Sequence, residues 1–396
     1  MSFINKLQKF DSRDLKGLIL LIVSFIPAWI LRKRNPNIWV IVERMNDAQD
    51  NSWIFYNWVK KAHPEQPIYF ILEEHAPSFD KKDKTMIPWE SLRHWILYLA
   101  SDIHIMTTFL RPMPNPRICY RVEKYVKRNV KHIYLRHGIS KDGMEQHKYS
   151  LLKVRLFICG AKPEYDYISK FSDYPEGYAK YTGFARFDEL LEKKNDGHYI
   201  LIMPTWRRYL GWSDDEEENE RQFLASEYYN RYVSLLKNEK LFSFAREHHY
   251  KIFFILHAEY RKFESLFPKV DSDVVSYVKR GESIHNYLMG ASLLITDYSS
   301  VFFDVAYMGK PVIYYHFDYE EFRRKHLSES YFSYERDGMG PVIKDEDSLV
   351  ETVKEMYDGH SFVQSEKYRE RTSKFFVYRD NHNCERIFNE IKNIES

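Results

Sequence analysis

The chain has 396 residues, of which 44% are hydrophobic and 29% charged, with a formal net charge of +2. That length and balance fit two folded domains, exclude a disordered chain, and give no global drive towards nucleic acid. The three cysteines, Cys119, Cys159 and Cys384, are far apart and form no Cys-x-x-Cys pair, so neither a zinc knuckle nor a disulfide framework is expected, and a reducing compartment is the simplest.

The first element is an apolar run at 18–31, broken only by Ser24 and Pro27. A spanning helix needs roughly 20 residues, so this run reads as interfacial. Lys6, Lys9, Arg13 and Lys16 precede it, Arg32, Lys33 and Arg34 follow it, and only Asp11 and Asp14 oppose them. Basic flanks suit an anionic, cytoplasmic membrane surface. No small-residue cleavage site follows the run, so a secretory signal peptide is not expected. A membrane segment of this kind should be removable without loss of the fold; a core helix is the alternative.

Beyond it, apolar runs alternate with helical patterns, which predicts α/β layers with parallel sheets. Strands are predicted at 38–42, 68–72, 103–107, 132–135 and 156–159, with helices at 52–62 and 90–100. A polar connection at 190–197 marks the joint. The organisation is therefore a membrane-associating segment at 1–36, a first domain at 37–192 and a second at 193–396. In the second, strands are predicted at 199–203, 252–257, 293–296 and 312–315. Helices are predicted at 229–247, 283–289 and 300–307, with further helices in the last fifty residues. The acidic stretch at 214–220 reads as a solvated loop. Ligands of two such sheets bind beyond the carboxyl ends of the strands.

Several strand ends carry chemistry-bearing residues. After 293–296 come Asp297, Tyr298, Ser299 and Ser300, opening a helix whose free amides and dipole make a phosphate seat. Asp304 falls on the same helix face as Ser300 and leans to the ligand side. A plain serine cap with a solvent-facing Asp304 is the alternative. After 132–135 comes Arg136-His-Gly-Ile-Ser-Lys141, where His137 has the titration range of a general base and Arg136 and Lys141 can hold anions beside it. Pro204-Thr-Trp-Arg207 ends a third strand, and its Arg207 can grip phosphate bidentately. His257 ends a fourth. Thr205 and Asp297 are supporting candidates. The basic stretch 111–136 reads as a membrane-facing patch for an anionic acceptor or as a solvated face. Asp271-Ser-Asp273 has a divalent-ion form but lies away from these ends, so no metal is expected.

At these residues the sequence resembles the CDP-glycerol glycerophosphotransferase family of teichoic acid primases and polymerases, over residues 38–394. The markers are Asp50-Asn-Ser, His137-Gly138, Thr182-Gly-Phe-Ala-Arg-Phe-Asp188, Pro204-Thr-Trp-Arg207, Asp297-Tyr-Ser-Ser with Phe303-Asp304, Lys310-Pro311, Phe317-Asp318 and Phe375-Phe-Val-Tyr-Arg-Asp380. The resemblance implies two Rossmann-like domains of the GT-B type facing across a cleft, peripheral attachment to the cytoplasmic face of the cell membrane, and phosphotransfer without metal or cofactor. It implies that His137 and His257 match the family's two essential histidines. The chain departs from the family pattern at Arg136 (usually Trp), Ile139 (usually Thr), Asp142 (usually Lys) and Ala258 (usually Pro).

The expected reaction moves glycerol phosphate, or another polyol phosphate, from CDP-glycerol or CDP-ribitol to a hydroxyl of a lipid-linked or polymeric glycan, releasing CMP, in teichoic acid or capsule synthesis. His137 is the expected base. Arg207, Ser299, Ser300 and His257 hold the pyrophosphate, and Asp304 binds the polyol. A GT-B glycosyltransferase using a nucleotide sugar and a catalytically inactive membrane adaptor are the alternatives.

Overall fold

The computed structural model describes residues 11–125, 129–192, 197–270, 273–279 and 281–395. Lys6, Lys9, Asp271, residues 126–128 of the basic stretch and residues 193–196 of the connection lie outside them.

Two wholly parallel sheets form the frame. The first has the order β3-β2-β1-β4-β5-β6-β7. Its strands are β1 (Trp39–Val42), β2 (Ile68–Leu72), β3 (Met86–Pro88), β4 (Ile103–Met106), β5 (Lys131–Tyr134), β6 (Leu156–Cys159) and β7 (Ala179–Tyr181). The second has the order β10-β9-β8-β11-β12-β13. It consists of β8 (Tyr199–Met203), β9 (Lys251–Phe254), β10 (Val275–Tyr277), β11 (Ala291–Thr296), β12 (Val312–Tyr315) and β13 (Val342–Ile343). Strands β1, β4, β6, β8 and β12 are buried along their whole length. This is why they read as continuous apolar runs rather than alternating ones. In both sheets the strand order reverses beside the first strand, between β1 and β4 and between β8 and β11. Those two reversals are where parallel sheets open a crevice for ligands.

The short edge strands β3, β7, β10 and β13 escaped the sequence reading, since two or three residues carry no usable period. The helix expected at 229–247 is two helices, Glu227–Leu235 and Glu239–Glu247. The first ends with Leu236 as its C-cap, and Asn238 caps the second by accepting from Leu241 N at 3.0 Å. The acidic stretch expected as a loop starts a helix, Glu216–Ala225. Asp215 caps it and three glutamates sit in its first turn, where the dipole favours negative charge.

The apolar run belongs to a longer helix, Ser12–Arg34, opened by an Asp11/Asp14 capping box. Its Gly17, Leu21, Ser24 and Ala28 recur at helical spacing and are buried. The stripe packs on the Leu92–Ala100 helix, and a Cβ on Gly17 would come within 2.8 Å of Ile118 Cδ1. Buried Asp14 accepts from Asn115 Nδ2 and Arg117 Nη1, each at 2.8 Å. The expectation of a removable segment is therefore corrected: one stripe of this helix is core of the first domain. The rest of its surface is largely bare, with Ile22 and Ile26 more than two-thirds exposed and Trp29 58% exposed. Arg117, from the basic stretch, serves to dock the helix.

The last helix, Asn383–Glu395, was grouped with the second domain from sequence but lies against the first. Asp188 accepts from the amides of Asn383 and Cys384 at 2.9 and 2.8 Å. Phe388 packs between Trp39 and His63, and Lys180 pairs with Glu390 at 3.1 Å.

Candidate active site

The carboxyl ends of the two sheets meet. From the first sheet, β1 leads to Glu43 and Arg44, the Asn51–Ala62 helix begins beyond Asp50, and β5 leads to the His137 loop. That loop is pinned from below. Arg136 takes a left-handed backbone (φ +70°), and its carbonyl accepts from Asn51 Nδ2 at 2.7 Å. The carbonyl of His137 accepts from Arg186 Nη1 at 2.7 Å. The imidazole, 64% exposed, faces the cleft with Nδ1 hydrogen-bonded to Asp50 Oδ2. Burial pushes the Asp50 carboxyl up, but His137 and the Arg186 guanidinium outweigh it and hold it at about 2. A carboxylate behind one ring nitrogen leaves the other, Nε2, to face a reactant, which is the orientation a general base needs.

Glu43 lies beneath Asp50, accepting from the amides of Gln49, Asp50 and Trp53 at 2.7, 2.9 and 3.1 Å. Burial and then the Asp50 charge raise its carboxyl to about 8. It fixes the turn that aims Asp50.

From the second sheet, His257 follows β9 and its Nδ1 accepts from Glu259 N at 3.3 Å. Burial, then His137 and Arg44, lower its pKa to about 4. The ring is therefore neutral near pH 7 and carries its proton on Nε2. The same interactions put His257, in the second domain, within electrostatic reach of His137 in the first. Trp206 lies parallel to the His257 ring, with centroids 6.2 Å apart. Ser299 and Ser300 are half-buried in the turn before the Phe302–Tyr307 helix, which opens two residues later than the expected 300. Ser300 reaches the other domain: a Cβ on Gly138 would lie 3.4 Å from Ser300 Oγ. Thr205 Oγ1 is buried and has no hydrogen-bond partner among the described residues.

Five sequence candidates serve structure instead. Arg207 is fully buried. Its Nε and Nη2 hold Asp318 at 2.6 and 3.0 Å, Nη1 donates to the Thr205 carbonyl at 2.7 Å, and Asp297 pairs at 2.9 Å. It therefore shapes the 204–208 loop and does not grip a phosphate. Asp297 also accepts from Thr205 N at 2.8 Å, tying β8 to β11 at the reversal. Arg136 is buried over the Phe157 ring at 4.6 Å and pairs with Glu164 at 3.3 Å. Lys141 is buried against Asp142, which also takes Arg323 Nη1 at 2.7 Å. Asp304, expected on the polyol, is buried in a two-pronged pair with Arg186, 2.8 Å to Nε and 2.9 Å to Nη2. The common reason is that charged groups at buried strand ends need partners, and the fold supplies them.

Arg186 and Glu43 were missed as site residues, and Asp50 figured only as a family marker. Arg186 also reaches Asp50 Oδ1 at 3.1 Å, so one guanidinium joins the His137 aspartate to the Asp304 helix across the cleft. For Glu43 and Asp50 the signal available was their place just past a predicted strand and before a predicted helix; Arg186 follows an edge strand that the sequence did not reveal and was marked only by the 182–188 motif. As to metal ligands, His104, Glu123 and His132 place ligand atoms within 4.8 Å of one another, but Arg111 Nη1 stands 3.2 Å from His132 Nε2, where a cation would be repelled.

Two parallel sheets with facing carboxyl ends, each reversing at the cleft, define a GT-B-like α/β fold. The chain belongs to the CDP-Glycerol:Poly(glycerophosphate) glycerophosphotransferase family, whose model matches residues 24–393. It is 32% identical to the minor teichoic acid biosynthesis protein GgaB of Bacillus subtilis (strain 168), over 99% of this chain and 43% of that protein. It is 26% identical to the teichoic acid poly(glycerol phosphate) polymerase of the same strain, over 80% of this chain and 44% of that protein. The chain thus spans less than half the length of these relatives. The solved wall teichoic acid polymerase TagF shares the fold, with a TM-score of 0.68 at 15% identity, covering 97% of this chain and 98% of that one.

Proposed function

We propose that the protein transfers a polyol phosphate, glycerol phosphate first among the candidates, from a CDP-polyol to a hydroxyl of a lipid-linked or polymeric cell-surface glycan, as part of teichoic acid or capsule-type polymer synthesis. The observation that carries this reading is the His137–Asp50 pair facing a neutral His257 across a cleft, with Ser300 beside the His137 loop. In the reaction, the acceptor oxygen attacks the β-phosphorus while His137 Nε2 takes its proton. The phosphoanhydride bond breaks and CMP leaves. His257 Nε2–H and the hydroxyls of Ser299, Ser300 and Thr205 meet the phosphate oxygens as charge builds on them, a positioning and electrostatic role that asks for no metal or other cofactor. Family membership and teichoic acid relatives, two of them named for ribitol phosphate, support the donor class.

We also propose that the bare face of the Ser12–Arg34 helix lies in the cytoplasmic membrane interface. The helix is long and apolar enough to cross a bilayer. Its buried stripe is used by the first domain, however, and only one side is left for lipid. Incubation with a panel of CDP-polyols and a glycerol-phosphate-primed lipid acceptor, followed by mass analysis, tests the reaction. Phosphodiester product with CMP supports it; a glycosidic product from a nucleotide sugar, or no CMP from any donor, overturns it.

A further inference from the structure

Around the cleft, the interior cations already have carboxylate partners: Arg136 with Glu164, Lys141 and Arg323 with Asp142, Arg186 with Asp304 and Asp50, Arg207 with Asp318 and Asp297. Arg44 is different. It stands two residues beyond β1, at the reversal of the first sheet, and its side chain is exposed. No carboxylate lies within ion-pair distance of it among the described residues. Its backbone is nevertheless held on both sides: Thr108 Oγ1 donates to the Glu43 carbonyl at 3.0 Å and Glu73 N to the Met45 carbonyl at 2.8 Å. Glu43 turns inward to the Asp50 turn, and Arg44 follows it at the carboxyl end of the first sheet, within electrostatic reach of His257 on the opposite domain. An exposed guanidinium on an anchored stretch of backbone, with no counter-ion among the described residues and with His257 opposite, is arranged for an anion that arrives with substrate.

We propose that Arg44 is a substrate-binding residue that holds the β-phosphate, the group under transfer, of a CDP-type donor; this rests on the donor class proposed above. Its place on the His137 sheet sets it at the phosphate the acceptor attacks, whereas the nucleotide's own α-phosphate belongs with the second sheet. Arg44 also discourages a proton on His257, so that ring meets the donor as a neutral Nε2–H.

The test is calorimetric binding of CDP-glycerol, CDP and CMP to the full chain and to Arg44→Gln and Arg44→Lys. A charge-assisted hydrogen-bond pair predicts that Arg44→Gln weakens CDP-glycerol and CDP by about 10- to 100-fold. CMP, which lacks the β-phosphate, should bind as in the wild type, and Arg44→Lys should recover part of the loss. The His257 ring, followed by NMR, should also titrate at higher pH in Arg44→Gln. Equal weakening of CMP and CDP, or CDP binding within twofold of the wild type, overturns the inference. Arg44-dependent CDP binding without turnover of any CDP-polyol would leave it standing while removing the proposed reaction. Turnover indifferent to Arg44→Gln would do the reverse.

Discussion

Asp304 decides between two views of the cleft. If its carboxylate serves Arg186, as the two-pronged 2.8 and 2.9 Å pair indicates, then Asp304→Ala leaves a buried guanidinium with Asp50 as its remaining carboxylate. The side chains of Arg186 and Asp304 are only 10% and 5% exposed, so solvent screening offers little relief. Breaking a buried pair from one side costs about 3–5 kcal/mol. For domains of this size each kcal/mol is worth about 2–4 °C, so Tm should fall by about 6–20 °C. Asp304→Asn keeps one acceptor and should fall less. Thermal unfolding without any ligand measures this. A residue reserved for polyol hydroxyls would behave oppositely, with an unchanged Tm and a lost donor affinity. That result would refute the ion-pair account and restore Asp304 to the donor site.

Three other outcomes are expected. His137→Ala should lower turnover by about 10² to 10⁴ with donor binding kept, whereas His257→Ala should lose donor affinity as well; calorimetry beside kinetics separates them, and the reverse pattern would exchange their roles. Burial lowers His94, His316 and His326 to about 3, His147 to about 2 and His257 to about 4. Each group's contribution is whole above pH 6.5 and is lost as pH falls towards its folded value, because the unfolded chain then binds the extra proton, at up to about 1.4 kcal/mol per group per pH unit. Urea midpoints should therefore drop between pH 7.5 and 5.5, and equal midpoints would contradict the buried, neutral rings. Finally, the triple change Ile22→Ser, Ile26→Ser and Trp29→Ser should abolish sedimentation with anionic vesicles at an unchanged Tm, because these side chains are bare, while Leu21→Ser should lower Tm because that residue is core. Unchanged sedimentation of the triple variant would place the membrane contact elsewhere.

The long, fully buried strands were legible because an all-apolar run between turn signals has few other readings. The His137 loop, the 204–207 loop and the Ser299–Ser300 turn were legible because a polar cluster directly after such a run marks a sheet's carboxyl end. The edge strands were not, being too short to show a period. Nor could spacing reveal that Asn238 splits one helix or that Asp215 starts another, since a cap and a loop residue look alike until the backbone is placed.

The amino-acid sequence alone determined the two-sheet α/β architecture, the candidate histidines and the apolar, basic-flanked start of the chain, all of which follow from local pattern and order along the chain. Which charged residue is left exposed at the sheet ends and which is locked to a partner was decided only by the tertiary structure. Arg207, Arg136, Lys141 and Asp304 had the chemistry of ligand-binding groups, yet each is buried beside an opposite charge, brought from elsewhere in the chain for all but Lys141, whose partner is the adjoining Asp142. Arg44 and His137 were left exposed at the carboxyl end of the first sheet. Side-chain type sets what a group can bind, but the cost of leaving a charge unpaired in the interior determines which groups the fold neutralises and which remain for the ligand.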